Sequence, residues 1–112
     1  MFKRENMETK MTPLFKEYNY ATTIFSPLAG GMLTGKYNNG IPEGSRNSSE
    51  FMRRFFYDPY MNEDVKEKTL KSLNGLKVIA DELGGTQAAL AIAWCLRFKP
   101  VTTVIIGASN LK

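Results

Sequence analysis

Two short runs of β-branched and aromatic residues mark the chain, Ala21-Thr22-Thr23-Ile24-Phe25 and Val101-Thr102-Thr103-Val104-Ile105-Ile106. Both read as buried strands, because such side chains suit a pleated, covered surface. Ser26-Pro27 ends the first run, since proline cannot donate to a ladder, and Pro100 stands before the second. Helical spacing governs much of the rest. Thr12 to Tyr20 begins with Pro13, which suits a first helical turn, and Thr12 stands in the capping position. Leu14, Phe15 and Tyr18 then fall on one face. A longer helix is predicted from a cap at Asn62 or Asp64 through Leu83. Its stripe is Leu70, Leu73, Leu76, Ile79, Ala80 and Leu83, and Gly84-Gly85 closes it. Thr86 caps a further helix, Gln87 to Phe98, which is apolar nearly all round and so predicted to be well buried.

The stretch from Leu28 to about Asn62 follows neither period. It is punctuated by Gly30-Gly31, Gly35, Asn38-Asn39-Gly40, Pro42-Glu43-Gly44 and Ser45, all turn formers. A loop of more than about 15 residues in a compact domain is commonly functional or mobile. Phe51, Phe55, Phe56, Tyr57 and Tyr60 cluster within it beside Arg53 and Arg54. Two readings fit them: a short helix or turn with its aromatics packed on the body, or a flap over a ligand.

The predicted order is helix, strand, long loop, helix, helix, strand. Apolar strands joined by helices indicate a parallel α/β sheet with both faces covered. Two strands alone would leave open edges and bare faces. The expected fold class is therefore α/β, with residues 1–112 forming part of a larger domain.

Composition narrows the chemistry. Among 112 residues there is no histidine and one cysteine. A histidine-dependent catalytic set, a histidine-ligated zinc and an internal disulfide are all excluded within these residues. Cys95 lies inside an apolar helix and reads as an inert core thiol. The net charge is +4, with acidic and basic side chains interleaved rather than gathered, which argues against a nucleic-acid track. No apolar run approaches the roughly 20 residues of a membrane span, and no signal peptide is evident. A cytoplasmic protein without membrane insertion is expected.

Both strand runs end in small, polar turn residues, Ser26-Pro27-Leu28-Ala29-Gly30-Gly31 and Gly107-Ala108-Ser109-Asn110. In α/β sheets ligands bind beyond the carboxyl ends of the strands, and small residues there let backbone N–H groups approach phosphate. Lys36 and Arg46 bring positive charge into the loop after the first strand.

The residues 26–37, Ser-Pro-Leu-Ala-Gly-Gly-Met-Leu-Thr-Gly-Lys-Tyr, resemble the SPLA-x-G-x-LTGKY segment of aldo-keto reductases. Ile41-Pro42-Glu43-Gly44-Ser45-Arg46, Leu90-Ala91-Ile92-Ala93-Trp94-Cys95-Leu96-Arg97 and Val104-Ile105-Ile106-Gly107-Ala108-Ser109 follow in the family's order. The resemblance covers nearly the whole chain. It is nearest to the subgroup containing the beta subunits of voltage-gated potassium channels.

That resemblance implies the C-terminal portion of a (β/α)8 TIM barrel, carrying the last two strands with flanking helices. Residues 1–112 would be a partial NADP-dependent oxidoreductase domain, truncated at both ends, with Met1 an internal methionine of the parent. The implied cofactor is NADP(H). Phe25 stands where the family often has Trp. Ser26, Pro27, Leu28, Ala29 and Gly30 match the loop along the pyrophosphate. Lys36 and Arg46 match the basic residues of the loop that closes over the cofactor. Gly107 and Ser109 match the start of the site for the 2′-phosphoadenosine end. Gly44 occupies a position where channel beta subunits place an aromatic residue.

The family's catalytic Asp, Tyr, Lys and His lie on earlier strands, so no catalytic residue and no metal ligand is assigned here. None of Tyr18, Tyr20, Tyr37, Tyr57 and Tyr60 matches the catalytic motif. The resemblance implies a parent that reduces aldehydes or ketones to alcohols, with a small carbonyl substrate. It equally implies a cytosolic regulatory subunit with a channel alpha subunit or a homotetramer as partner. A short product that neither folds nor functions alone is the third alternative.

Overall fold

The two β-branched runs pair with each other. In the computed structural model, which describes residues 1–108, Thr22–Phe25 forms β1 and Val101–Ile105 forms β2. They run parallel, with Thr23 opposite Thr103, Ile24 opposite Val104 and Phe25 opposite Ile105. The register slips between Thr22 and Thr23, where Thr22 stands opposite Val101 and leaves Thr102 over. The Thr102 hydroxyl donates to the Thr22 carbonyl at 3.3 Å, and the Thr22 N–H donates to the Pro100 carbonyl at 2.8 Å. The Thr102 side chain and the Thr22 backbone thereby anchor the slip. Parallel strands require a long crossover, and the helices between the two runs supply it.

The chain divides into two compact units. One takes Met1–Pro27 and the described residues from Ile92 on, and the other takes Leu28–Ala91. In the first unit a π-helical segment, Asn6–Lys10, precedes helix α1, Thr12–Tyr18. Asn19 ends α1 in the left-handed region at φ 52°, which its short polar side chain tolerates. Thr12 does not cap α1. Its hydroxyl donates instead to the Glu8 carbonyl at 2.8 Å, because the helical backbone before it is already in place to accept. Phe15 is buried and meets Phe98 edge to face at 6.1 Å, whereas Leu14 and Tyr18 are exposed.

The strands are less covered than their composition predicts. Phe25 is 79% exposed and Ile105 59% exposed. Among the described residues each strand has only the other as neighbour, so neither is flanked by a strand on both sides as in the interior of a larger parallel sheet.

In the second unit, the stretch expected to be irregular is largely helical. It contains 3-10 turns at Ala29–Thr34 and Arg46–Ser48, helix α2 at Glu50–Phe56 and helix α3 at Asp58–Met61. Its many turn formers are compatible with these short elements, because a 3-10 turn is itself a chain of β-turns.

Helix α4, Lys66–Glu82, starts after Val65 without a side-chain cap. Asn62 acts one turn earlier, its side-chain Oδ1 accepting the Asp64 N–H at 3.1 Å. The buried line of α4 is Thr69, Leu73 and Ala80, while Ile79 and Leu83 are exposed, so the apolar stripe is narrower than the sequence predicts. Gly84, at φ 66°, ends the helix. The Gly85 N–H reaches the Ala80 carbonyl at 2.9 Å and the Gly84 N–H the Asp81 carbonyl at 3.0 Å, a complete Schellman pair.

Helix α5 runs Gln87–Leu96, two residues shorter than predicted. The Thr86 hydroxyl accepts the Ala89 N–H at 3.1 Å, the cap the sequence calls for. Gln87, Ala91 and Cys95 are buried, and Ala89, Ala93 and Leu96 are exposed, so α5 is covered on one side only. Cys95 is free and buried. Among the described residues no helix is long and apolar enough to cross a membrane.

Candidate functional site

The carboxyl ends of β1 and β2 coincide, because Phe25 pairs with Ile105 at the last rung. Parallel pairing in this register therefore sends the chain out of both strands at one end of the sheet, through Ser26 after β1 and Ile106-Gly107 after β2. Ser26 leaves β1 exposed and in the left-handed region, at φ 50°. A non-glycine residue held there is strained, and such strain clusters where a chain grips a ligand. Gly107 is also exposed, with open space where a Cβ would stand. Pro27 is buried. Ser109 lies outside the described residues, as does Asn110.

Leu28, Ala29, Gly30, Lys36 and Arg46 belong to the second unit. The Leu28 carbonyl accepts the Gly31 N–H at 2.9 Å and the Leu33 N–H at 3.2 Å, opening the first 3-10 turn. Ala29, Gly30 and Gly31 then follow one another at positive φ, 48°, 64° and 97°. A Cβ on Gly30 would stand 2.4 Å from Cγ of Phe56. One on Gly31 would stand 2.9 Å from Cε of Lys36 and 3.0 Å from Cε2 of Tyr37. The diglycine is thus required twice over, by conformation and by close approach.

The same rings carry the two predicted cations. The Lys36 ammonium lies 5.0 Å from the centroid of Tyr37, and the Arg46 guanidinium 5.5 Å from that of Phe56. Thr34 sets the approach to Lys36, its hydroxyl donating to the Gly31 carbonyl at 2.7 Å and accepting the Lys36 N–H at 3.4 Å. Arg4, Arg53, Lys77 and Arg97 all have carboxylate partners. Among the described residues Lys36 and Arg46, like Arg54 and every lysine but Lys77, have none within the 4.0 Å of an ion pair. Both side chains are exposed.

Residues that the sequence reading left without a role complete this region. Tyr37 is fully buried, and its hydroxyl accepts the Asn47 N–H at 3.3 Å. Tyr37 also meets Tyr57 edge to face at 6.0 Å. Asn47 is fully buried, and among the described residues its side-chain nitrogen and oxygen have no hydrogen-bond partner; neither does the buried hydroxyl of Ser45. These unsatisfied groups flank Arg46 on both sides. A buried asparagine carries no local sequence signal, and although Tyr37 closes the family-like segment 26–37, nothing in that pattern shows its burial or its contact with Asn47. Of the aromatic cluster, Phe56 and Tyr57 are half-buried on the helices, while Phe51 and Phe55 are exposed and contact each other at 5.0 Å.

The arrangement can hold an anion. It offers two exposed cations and a glycine-rich turn without side chains. It offers no acid-base machinery. Among the described residues no three His, Cys, Asp or Glu side chains are placed to hold a metal.

Residues 1–112 match the profile of the Aldo/keto reductase family. The chain belongs to that family. Among curated relatives, it is 46% identical to a "Probable voltage-gated potassium channel subunit beta" of Arabidopsis thaliana over 98% of its own length and 32% of the relative's. A rice (Oryza sativa subsp. japonica) protein with the same description is 44% identical over the same shares. A "Putative voltage-gated potassium channel subunit beta" of Schizosaccharomyces pombe is 40% identical over 96% of this chain and 30% of the relative. The aldo-keto reductase chain thus spans about a third of the length of the curated relatives it matches.

Proposed function

We propose that this chain supplies the phosphate-gripping loops of an NADP(H)-dependent aldo-keto reductase whose whole reduces aldehydes or ketones to alcohols. In that reading β1 and β2 take the places of the last two strands of a (β/α)8 barrel, and residues 1–112 are one part of the reductase domain. The observation that carries it is the pair Lys36 and Arg46, exposed and each set over a ring beside the Gly30-Gly31 turn. Lys36 and Arg46 would offer charge to the cofactor's phosphates. Ser26 through Gly30 would lie along the pyrophosphate, and Gly107 with Ser109 would begin the 2′-phosphoadenosine end. The cofactor supplies the hydride when bound. The chain's part is to bind and orient it.

Amide shifts of 15N-labelled chain on addition of NADPH test this reading. Gly30, Gly31, Arg46 and Asn47 are expected to move while α4 stays still. Shifts spread evenly over the chain, or none, would contradict it.

A second reading comes from the relatives' descriptions as potassium channel beta subunits. Here the parent is a cytosolic regulatory subunit that binds a channel alpha subunit, and the same cofactor site serves as a sensor. Direct binding of the parent protein to the cytosolic segment of a voltage-gated potassium channel supports it, and absence of binding with the reductase activity intact favours the enzyme.

A further inference from the structure

We propose that Tyr37 is a positioning residue that fixes Lys36 and Arg46 relative to each other, a proposal that rests on the cofactor reading above. The two cations are ten residues apart, and the chain between them is rich in turns that alone would let them drift. Tyr37 ties the two ends together. Its ring carries the Lys36 ammonium. Its hydroxyl accepts the N–H of Asn47, the residue after Arg46, and so holds the 3-10 turn Arg46–Ser48 in place. Its ring meets that of Tyr57 edge to face, and the residue before Tyr57 is Phe56, whose ring carries Arg46.

Lys36, Tyr37, Tyr57, Phe56 and Arg46 therefore form one continuous framework. The Gly30-Gly31 backbone lies against both of its ends, at Phe56 and at Lys36 with Tyr37. Two cations grip two phosphate groups of one cofactor more tightly when their own spacing is set beforehand, because less ordering remains to be done on binding. Tyr37 is buried and touches the Asn47 backbone rather than solvent, so its role is to place the cations and not to meet the ligand.

The test is a double-mutant cycle on the full chain. Tyr37→Phe keeps the ring and its packing and removes only the hydroxyl that holds Asn47. Y37F is expected to weaken NADPH binding by about three- to tenfold, the span of one neutral hydrogen bond. In an R46A background it is expected to change affinity by less than about twofold, because the placement it supplies then has no Arg46 to act on. Hydrogen exchange at the Asn47 amide is expected to speed up in Y37F with or without cofactor.

Equal weakening in both backgrounds would mark a general loss of stability and overturn the proposal. Unchanged affinity or unchanged Asn47 exchange in Y37F would overturn it as well. A wild-type chain that takes up no NADPH would overturn the cofactor reading itself, an outcome told apart because it appears before any substitution is made.

Discussion

The guanidinium of Arg46 stands over the ring of Phe56, 5.5 Å from its centroid, and the same ring fills the space where a Cβ on Gly30 would be. One aromatic side chain thus sets a cation and admits a backbone turn at once. Phe56→Leu keeps bulk at the glycine and removes the ring face. An exposed cation–π contact contributes about 0.5–1 kcal/mol, so NADPH affinity is expected to fall by about two- to fivefold in F56L. Isothermal titration measures it, and an unchanged affinity would remove Phe56 from the framework.

Gly30 and Gly44 separate conformation from packing. Both have positive φ, 64° and 68°, but only Gly30 has a neighbour where a Cβ would be placed. Alanine in the left-handed region costs about 1–2 kcal/mol, and forcing Phe56 aside adds about 1–3. Urea denaturation is expected to find G30A less stable than G44A by about 1–3 kcal/mol. Equal losses would mean that the Gly30–Phe56 approach is not tight in solution.

Thr86 and Thr12 both looked like caps in the sequence, and the structure assigns that role to Thr86 alone. T86A is expected to lose about 1 kcal/mol through the freed Ala89 N–H, and T12A less than about 0.5. Midpoints followed by far-UV circular dichroism distinguish the two, and a larger loss in T12A would reverse the assignment.

These comparisons show which parts of the molecule were legible beforehand. Elements announced by local chemistry appear close to where the residues placed them: β1 and β2 from their β-branched runs, the end of α4 from Gly84, and the start of α5 from Thr86. Expectations that needed knowledge of neighbours fared less well. Phe25 looked like a core residue and is exposed, since burial of a strand depends on layers that its own sequence does not describe. The short helices between Leu28 and Asn62 were hidden because glycine, asparagine and proline punctuate 3-10 turns and loops alike. In the candidate site, Lys36 and Arg46 were visible as charges. The contact of Tyr37 with Asn47, which ties their segments together, was not, because a contact across ten residues of turns leaves no periodic trace.

The account rests most heavily on Lys36 and Arg46 as the grip on the cofactor's phosphates. Titration of NADPH into the wild-type chain and into the K36M/R46M double variant tests that directly. Both side chains are exposed and have no carboxylate partner among the described residues, so the double variant should keep the wild-type far-UV spectrum. Hydrogen bonds to charged groups contribute about 1.5–3 kcal/mol each, so the affinity is expected to fall by at least about a hundredfold. A double variant that binds NADPH as tightly as the wild type would contradict the account.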